Sequence, residues 1–170
     1  MTFIMSATPV SMHVIDGFSL NDTAWVVQSH VIAMFTPSLF TGWFIDRFGI
    51  RRLMWAGILL MTMCVFAALI NRHLVHYWSG LVMLGIGWNF LFVSGTTLLT
   101  RTYQPAERFK AQAFNDFTVY GFQATASLSA GALIFMAGWE IVNLLTLPWL
   151  VITFIVVLKM GPLLEGPAKN

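Results

Sequence analysis

Five polar side chains, Gln112, Asp116, Tyr120, Gln123 and Ser127, recur at steps of four, four, three and four residues within an otherwise apolar run. A helix turning once in about 3.6 residues carries them along one face, with Asn115 beside Asp116. A carboxylate, three amides and two hydroxyls on one stripe can accept a proton and hydrogen-bond a polar solute. Against lipid such a stripe is costly, so it must meet protein or a water-filled cavity. The helical neighbours of Asp116, at three and four positions, are Gln112, Ala113, Val119 and Tyr120, so no local cation pairs with it. Two readings follow: a proton-accepting or solute-contacting carboxylate on a translocation path, or a structural acid hydrogen-bonded to Asn115, Gln112 or a neighbouring helix.

A second constellation is the stretch Gly42-Trp-Phe-Ile-Asp46-Arg47-Phe-Gly49-Ile-Arg51-Arg52, which joins an apolar run over 23–45 to another over 53–70. A hydrophobic span that ends in Asp-Arg-x-Gly and restarts after Arg-Arg must turn sharply at a membrane surface. Gly49 suits the left-handed backbone of such a turn. Asp46 near a helix C-terminus and Arg51 and Arg52 at a helix N-terminus oppose the local dipole, at roughly 0.3–1 kcal/mol each. Charges set against their own helix ends point to partners elsewhere, although a short basic turn without a gating role has the same composition.

Asn89 is the third candidate, on the same side of its apolar run as Gly85, Thr96 and Thr100. It suits cavity lining and helix packing equally. Gly85, Gly87 and Gly95 read as close helix contacts. Ser6, Pro9 and His13 share one face, and Gln28, His30 and Pro37 punctuate the second run. The histidines read as polar core residues more readily than as titrating groups. His73 and His76 lack a third ligand nearby, so no metal site is expected, and no Gly-rich phosphate loop, Gly-x-Ser-x-Gly or His-Glu-x-x-His motif is present. An intramembrane enzyme would need a nucleophile and base, or metal ligands, converging at one depth. Nothing calls for a cofactor.

The elements that must position these residues follow from composition. The 170 residues are 58% hydrophobic and 9% charged, against about 25% charged in a soluble domain. The chain is therefore an all-α integral membrane protein, and its net charge of +2 does not point to nucleic acid. Cys64 excludes an intramolecular disulfide. Six apolar segments are expected, over 1–15, 23–45, 53–70, 77–99, 111–137 and 141–158. The last five suit a hydrocarbon core of about 30 Å, and none shows the alternation of a barrel strand. The first reaches only about 22 Å at a rise of about 1.5 Å per residue, so it is expected to be a truncated span and the chain a piece of something longer. No secretory signal peptide is evident.

Eight of the nine cationic residues fall on one side of this arrangement: Arg47, Arg51, Arg52, Arg101, Arg108, Lys110, Lys159 and Lys169. That side is expected to be cytoplasmic. Both termini, including a tail over 161–170, then lie in the cytoplasm, with Arg72, Asp16, Asp22 and the Gly138-Trp-Glu140 turn outside. Trp25, Trp78 and Trp139 are expected as interfacial anchors.

The spacing G-x3-D-R-x-G-x-R-R resembles the loop signature of the major facilitator superfamily, found between the second and third helices of each six-helix half. Gly42, Asp46, Arg47, Gly49 and Arg51 match, whereas Ile50 replaces a frequent basic residue. The segment from Arg101 to Asp116 and the opening Met5-Ser-Ala-Thr-Pro-Val-Ser-Met12 are similar to C-terminal halves of bacterial members. No arginine stands early in the fourth span, no Gly-Pro motif in the fifth and no long central linker follows, which also suits helices seven to twelve. The resemblance implies one half of the superfamily fold, 1–160, built from two inverted three-helix repeats. It implies secondary transport of a small solute by alternating access, with proton coupling as a candidate, in the plasma (inner) membrane. Gly42, Asp46, Arg47, Gly49, Arg51 and Arg52 would form a cytoplasmic gate, and Asp116, Asn115, Gln112, Tyr120, Gln123 and Asn89 the cavity lining. The implied partners are the lipid bilayer and an N-terminal half or a second copy of the chain. The alternative is a non-transporting scaffold or receptor whose stripe is packed shut.

Overall fold

The computed structural model describes residues 1–160, so the expected tail over 161–170 lies outside the described residues. All regular structure among them is helical. Helix α1 (Thr2–Pro9) continues into a π-helical turn over Val10–Ile15. Then come α2 (Leu20–Phe35), α3 (Ser38–Phe48), α4 (Ile50–Ile70) and α5 (Leu74–Leu99). A short 3-10 turn (Pro105–Glu107) leads into α6 (Arg108–Leu144), followed by α7 (Leu147–Lys159).

Local chemistry explains the starts. The Ser19 hydroxyl caps α2 by accepting from the Asp22 N–H at 3.1 Å. Gln104 and Glu107 form a capping box, with Pro105 in the first turn, where its missing N–H does no harm.

Three helical stretches are long and apolar enough to cross a bilayer, Ile50–Ile70, Leu74–Leu99 and the stretch Pro105–Lys159 that takes in the 3-10 turn, α6 and α7. Thr2–Ile15 is a shorter apolar helix. Two expected boundaries differ from those observed. The second span is broken at Thr36–Pro37 into α2 and α3, at a residue with no N–H for the carbonyl four residues back. The fifth and sixth spans run together as far as Leu144, with the change of course at Gly138, at φ +80° and ψ 172°.

Helix α5 is the centre. It packs between α2 and α4, while α1 lies along α6 and α7 along α4. Gly85 faces α2 and Gly87 faces α4, whereas Gly95, expected to make a similar close contact, has nothing within 4 Å of a Cβ built on it. A Cβ on Gly85 would stand 2.7 Å from the His30 carbonyl oxygen of α2, and one on Gly87 would stand 2.9 Å from the Gly57 carbonyl oxygen of α4. Such contacts bring backbones together and let dispersion hold helices where lipid offers no hydrophobic drive. The main buried cluster lies between α1 and its π-helical turn, α2, α4, α5 and α6 and includes Met12, Val26, Cys64, Leu81, Leu84, Ile134 and Val142.

Candidate functional site

The gate-like stretch folds more tightly than expected. Gly49 alone joins α3 to α4: its N–H reaches the Ile45 carbonyl at 2.9 Å, and its own carbonyl accepts from Leu53 N–H at 3.3 Å. Its φ is +83° as expected, but ψ is 151°, so the backbone is extended where a left-handed helical turn was anticipated. Glycine alone tolerates that region well. Asp46, Arg47 and Arg52 are exposed, Arg51 is half-buried, and Ile50 is buried at the foot of α4. Gly42 sits exposed one turn before Asp46 on α3.

The stripe on α6 is mostly uncovered. Asp116, Tyr120 and Ser127 are exposed, and Gln112, Asn115 and Gln123 are partly exposed. Two of its contacts are local. The Gln112 Nε2 donates to the Tyr103 hydroxyl at 2.8 Å, and the Asn115 Nδ2 donates to Asp116 Oδ1 at 3.2 Å. The third reaches another helix, since the Ser127 and Ser6 hydroxyls lie 3.1 Å apart. The stripe therefore meets α1 at its Ser127 end. Gln112 also lines an open cleft of about 370 Å³ with Thr100, Tyr103, Pro105 and Arg108, at the corner where α5 gives way to α6.

Asn89 stands apart from the stripe. It is 4% exposed, and its amide is engaged by Thr41, Ser38 and the Met34 carbonyl. His30 is fully buried against the Leu81 carbonyl, whereas His13 is exposed, with Nδ1 2.8 Å from the Phe18 carbonyl. Trp25 and Trp78 stack at 5.6 Å. Trp139 is no exposed anchor: it is 2% exposed, and its indole N–H donates to the Ala68 carbonyl at 3.1 Å.

A further polar cluster escaped the sequence reading. Arg72 donates to Asp16 at 3.3 Å and, through Nε, to Glu140 at 3.1 Å. Tyr77 donates to Asp16 at 2.7 Å and lies 2.6 Å from the Ser11 hydroxyl. The hydrogen bonds from Arg72 hold the Glu140 carboxyl below the usual glutamate range, and those with Glu140 and then Asp16 hold the Arg72 guanidinium still more firmly protonated. The signal was present, because Arg72 is the one cation expected on a face that also carries two of these acids. Their convergence depends on tertiary packing. Among the described residues, no group of His, Cys, Asp and Glu is placed to hold a metal ion.

The profile of the Major Facilitator Superfamily matches residues 1–170. The chain is 42% identical over 163 residues to "Riboflavin transporter RfnT" of Brucella anthropi, covering 95% of this chain and 41% of that protein. It is 31% identical over 147 residues to the "Uncharacterized MFS-type transporter YddS" of Bacillus subtilis, covering 85% of this chain and 33% of the relative. The "Methylenomycin A resistance protein" of Bacillus subtilis is 29% identical over 136 residues, 78% of this chain and 28% of its own length. The chain thus spans about two-fifths or less of these curated relatives. No solved structure matches it. The relatives named for an activity are transport or resistance proteins and not enzymes, in keeping with apolar helices that embed in a membrane. With the family profile matched from end to end, this chain belongs to the Major Facilitator Superfamily.

Proposed function

We propose that this chain is the C-terminal six-helix half of a secondary transporter that moves a small solute by alternating access, with both of its ends in the cytoplasm of a cell whose inner membrane it spans. The α6 stripe supports the reading best. A membrane helix that leaves Asp116 and Tyr120 exposed has a surface unsuited to lipid, and a second half provides the aqueous cleft that suits it. The N-terminal half of the same transporter is the partner that fits, and a second copy of this chain is the alternative occupant. In the six-pass reading, Gly138 turns the chain from the fifth pass to the sixth, and α2 and α3 are one bent pass. The loop around Gly49 then lies on the cytoplasmic side with Asp46 and Arg47 presented to the opposite half.

Riboflavin is the solute to test first, because the relative at 42% identity carries that name. Flat, polar-edged rings of that kind suit a face that mixes Tyr120 with the amides of Gln112, Asn115 and Gln123. Asp116 is the proton-accepting candidate, so uptake runs uphill on a proton gradient. The test is labelled riboflavin uptake into vesicles carrying the full-length transporter. Asp116→Asn abolishes uphill accumulation and leaves riboflavin exchange detectable. Unchanged uphill transport in that variant removes the coupling role. Absence of any riboflavin flux in the wild type removes the substrate.

A further inference from the structure

We infer that the break at Thr36–Pro37 is a fixed bend and not a hinge, because side chains of α5 bolt both pieces of the broken helix to one unbroken partner. Helices α2, α3 and α5 then form a single rigid block. The contacts run in register along parallel helices, with His30, Met34 and Thr41 meeting Leu81, Gly85 and Asn89.

The first attachment lies above the break. His30 is fully buried, and its Nδ1 is 2.7 Å from the Leu81 carbonyl oxygen. A carbonyl can only accept, so the ring carries a proton on Nδ1. One turn on, Gly85 lets α5 touch the α2 backbone, since a Cβ there would stand 2.7 Å from the His30 oxygen and 3.0 Å from the Met34 nitrogen.

The second attachment spans the break itself. Helix ends leave carbonyls without an intrahelical partner. Here the Met34 carbonyl, in the last turn of α2, accepts from Asn89 Nδ2 at 2.9 Å. The same Nδ2 reaches the Ser38 hydroxyl in the first turn of α3. The Asn89 oxygen in turn lies 2.8 Å from the Thr41 hydroxyl, which is also 2.6 Å from the Pro37 carbonyl. One buried amide therefore holds the end of α2 and the start of α3 at once. A hinge at this place would leave that buried amide without these partners, an outcome disfavoured in a buried site. Pro37 permits the bend, and Asn89 sets its angle.

The consequence for transport rests on the reading given above: the Asp46 loop, at the foot of α3, moves only together with α5. The rigidity itself does not depend on transport, so the two can fail separately.

Spin labels at Ile32→Cys and Leu39→Cys, both exposed positions on either side of the break, report the bend in the protein held in lipid, with buried Cys64 unlabelled. The wild-type background gives a single narrow distance, and Pro37→Ala leaves it unchanged. Asn89→Leu loses the single peak and gives a broad or split distribution. The milder pair Ser38→Ala and Thr41→Val, which removes only hydroxyls, broadens it in the same direction if Asn89→Leu does not fold. Labels at Leu59→Cys on α4 and Val75→Cys on α5 serve as the control that the remaining fold is intact. A narrow, unshifted Ile32–Leu39 distance in Asn89→Leu, or in the milder pair, overturns the inference. So does a straightened helix in Pro37→Ala, because the proline would then set the angle.

Discussion

Gly57 and Gly87 press their backbones against each other: a Cβ on Gly57 would lie 3.0 Å from the Gly87 carbonyl oxygen, and one on Gly87 would lie 2.9 Å from that of Gly57. Side chains also close on the site, with Leu91 Cγ 2.9 Å from the first position and Met61 Cγ 2.8 Å from the second. Either alanine substitution forces α4 and α5 apart and lowers stability by about 1–3 kcal/mol. The double variant loses less than the sum of the two, since the helices have already separated. Thermal unfolding in detergent reads both values. Independent, additive losses would show that the two glycines do not share one contact.

Gly49 makes a different demand. Nothing lies within 4 Å of a Cβ built there, so crowding is absent, while φ is +83°. Gly49→Ala is therefore expected to lose about 1–3 kcal/mol through backbone strain alone. Gly95→Ala, also without neighbours within 4 Å but at an ordinary φ, is the matched control and holds or slightly raises stability. Equal melting temperatures for the two variants would contradict the strain argument.

The outer cluster gives a pH dependence of definite sign. Arg72 holds the Glu140 pKa below its ordinary value. The stability from this pairing is present above the unfolded glutamate pKa and is lost as pH falls through the depressed folded value. Because the Glu140 side chain is half exposed, the contribution is small and weakens with added salt. In Arg72→Gln the acid-side decline in melting temperature becomes shallower. An unchanged pH profile in that variant shows that Glu140 titrates without Arg72.

Aqueous access distinguishes a cavity face from a lipid face on α6. Single cysteines at Gln112, Asp116 and Gln123 react with a membrane-impermeant thiol reagent in the assembled transporter. Cysteines at Phe117 and Leu128, which are 79% and 84% exposed, resist it if their face meets acyl chains. Protection of all five positions in every condition would leave the stripe buried against protein, as in a scaffold.

Much of this architecture was legible because lipid leaves the backbone few choices. The apolar runs over 53–70 and 77–99 reappear as Ile50–Ile70 and Leu74–Leu99, slightly extended at their starts. The ends moved because Arg51, Arg52 and His76, which interrupt a hydropathy count, are good enough helix formers to be carried in a first turn. The break near Pro37 could be suspected from its residue type, but its stabilisation could not. That depends on Asn89, 48 residues from Thr41 in sequence. Asn89 read equally well as cavity lining, since hydropathy does not tell an amide facing water from one facing a helix end. The Arg72 cluster was hidden for the same reason. By contrast, the α6 periodicity survived intact, because residues spaced by helical turns share a face whatever else the chain does.

The pairing of α1 with α6 has a consequence for how the molecule is made. Ser6 and Ser127 touch across 121 residues of sequence, while α4 and α5 are joined by only three residues, 71–73. During synthesis the hairpin can close between neighbours in sequence, whereas the α1 segment meets α6 only after Ser127 has been made, its Thr8 hydroxyl bonded meanwhile to the Ile4 carbonyl of its own helix. The seam between α1 and α6 is therefore the later of the two to close.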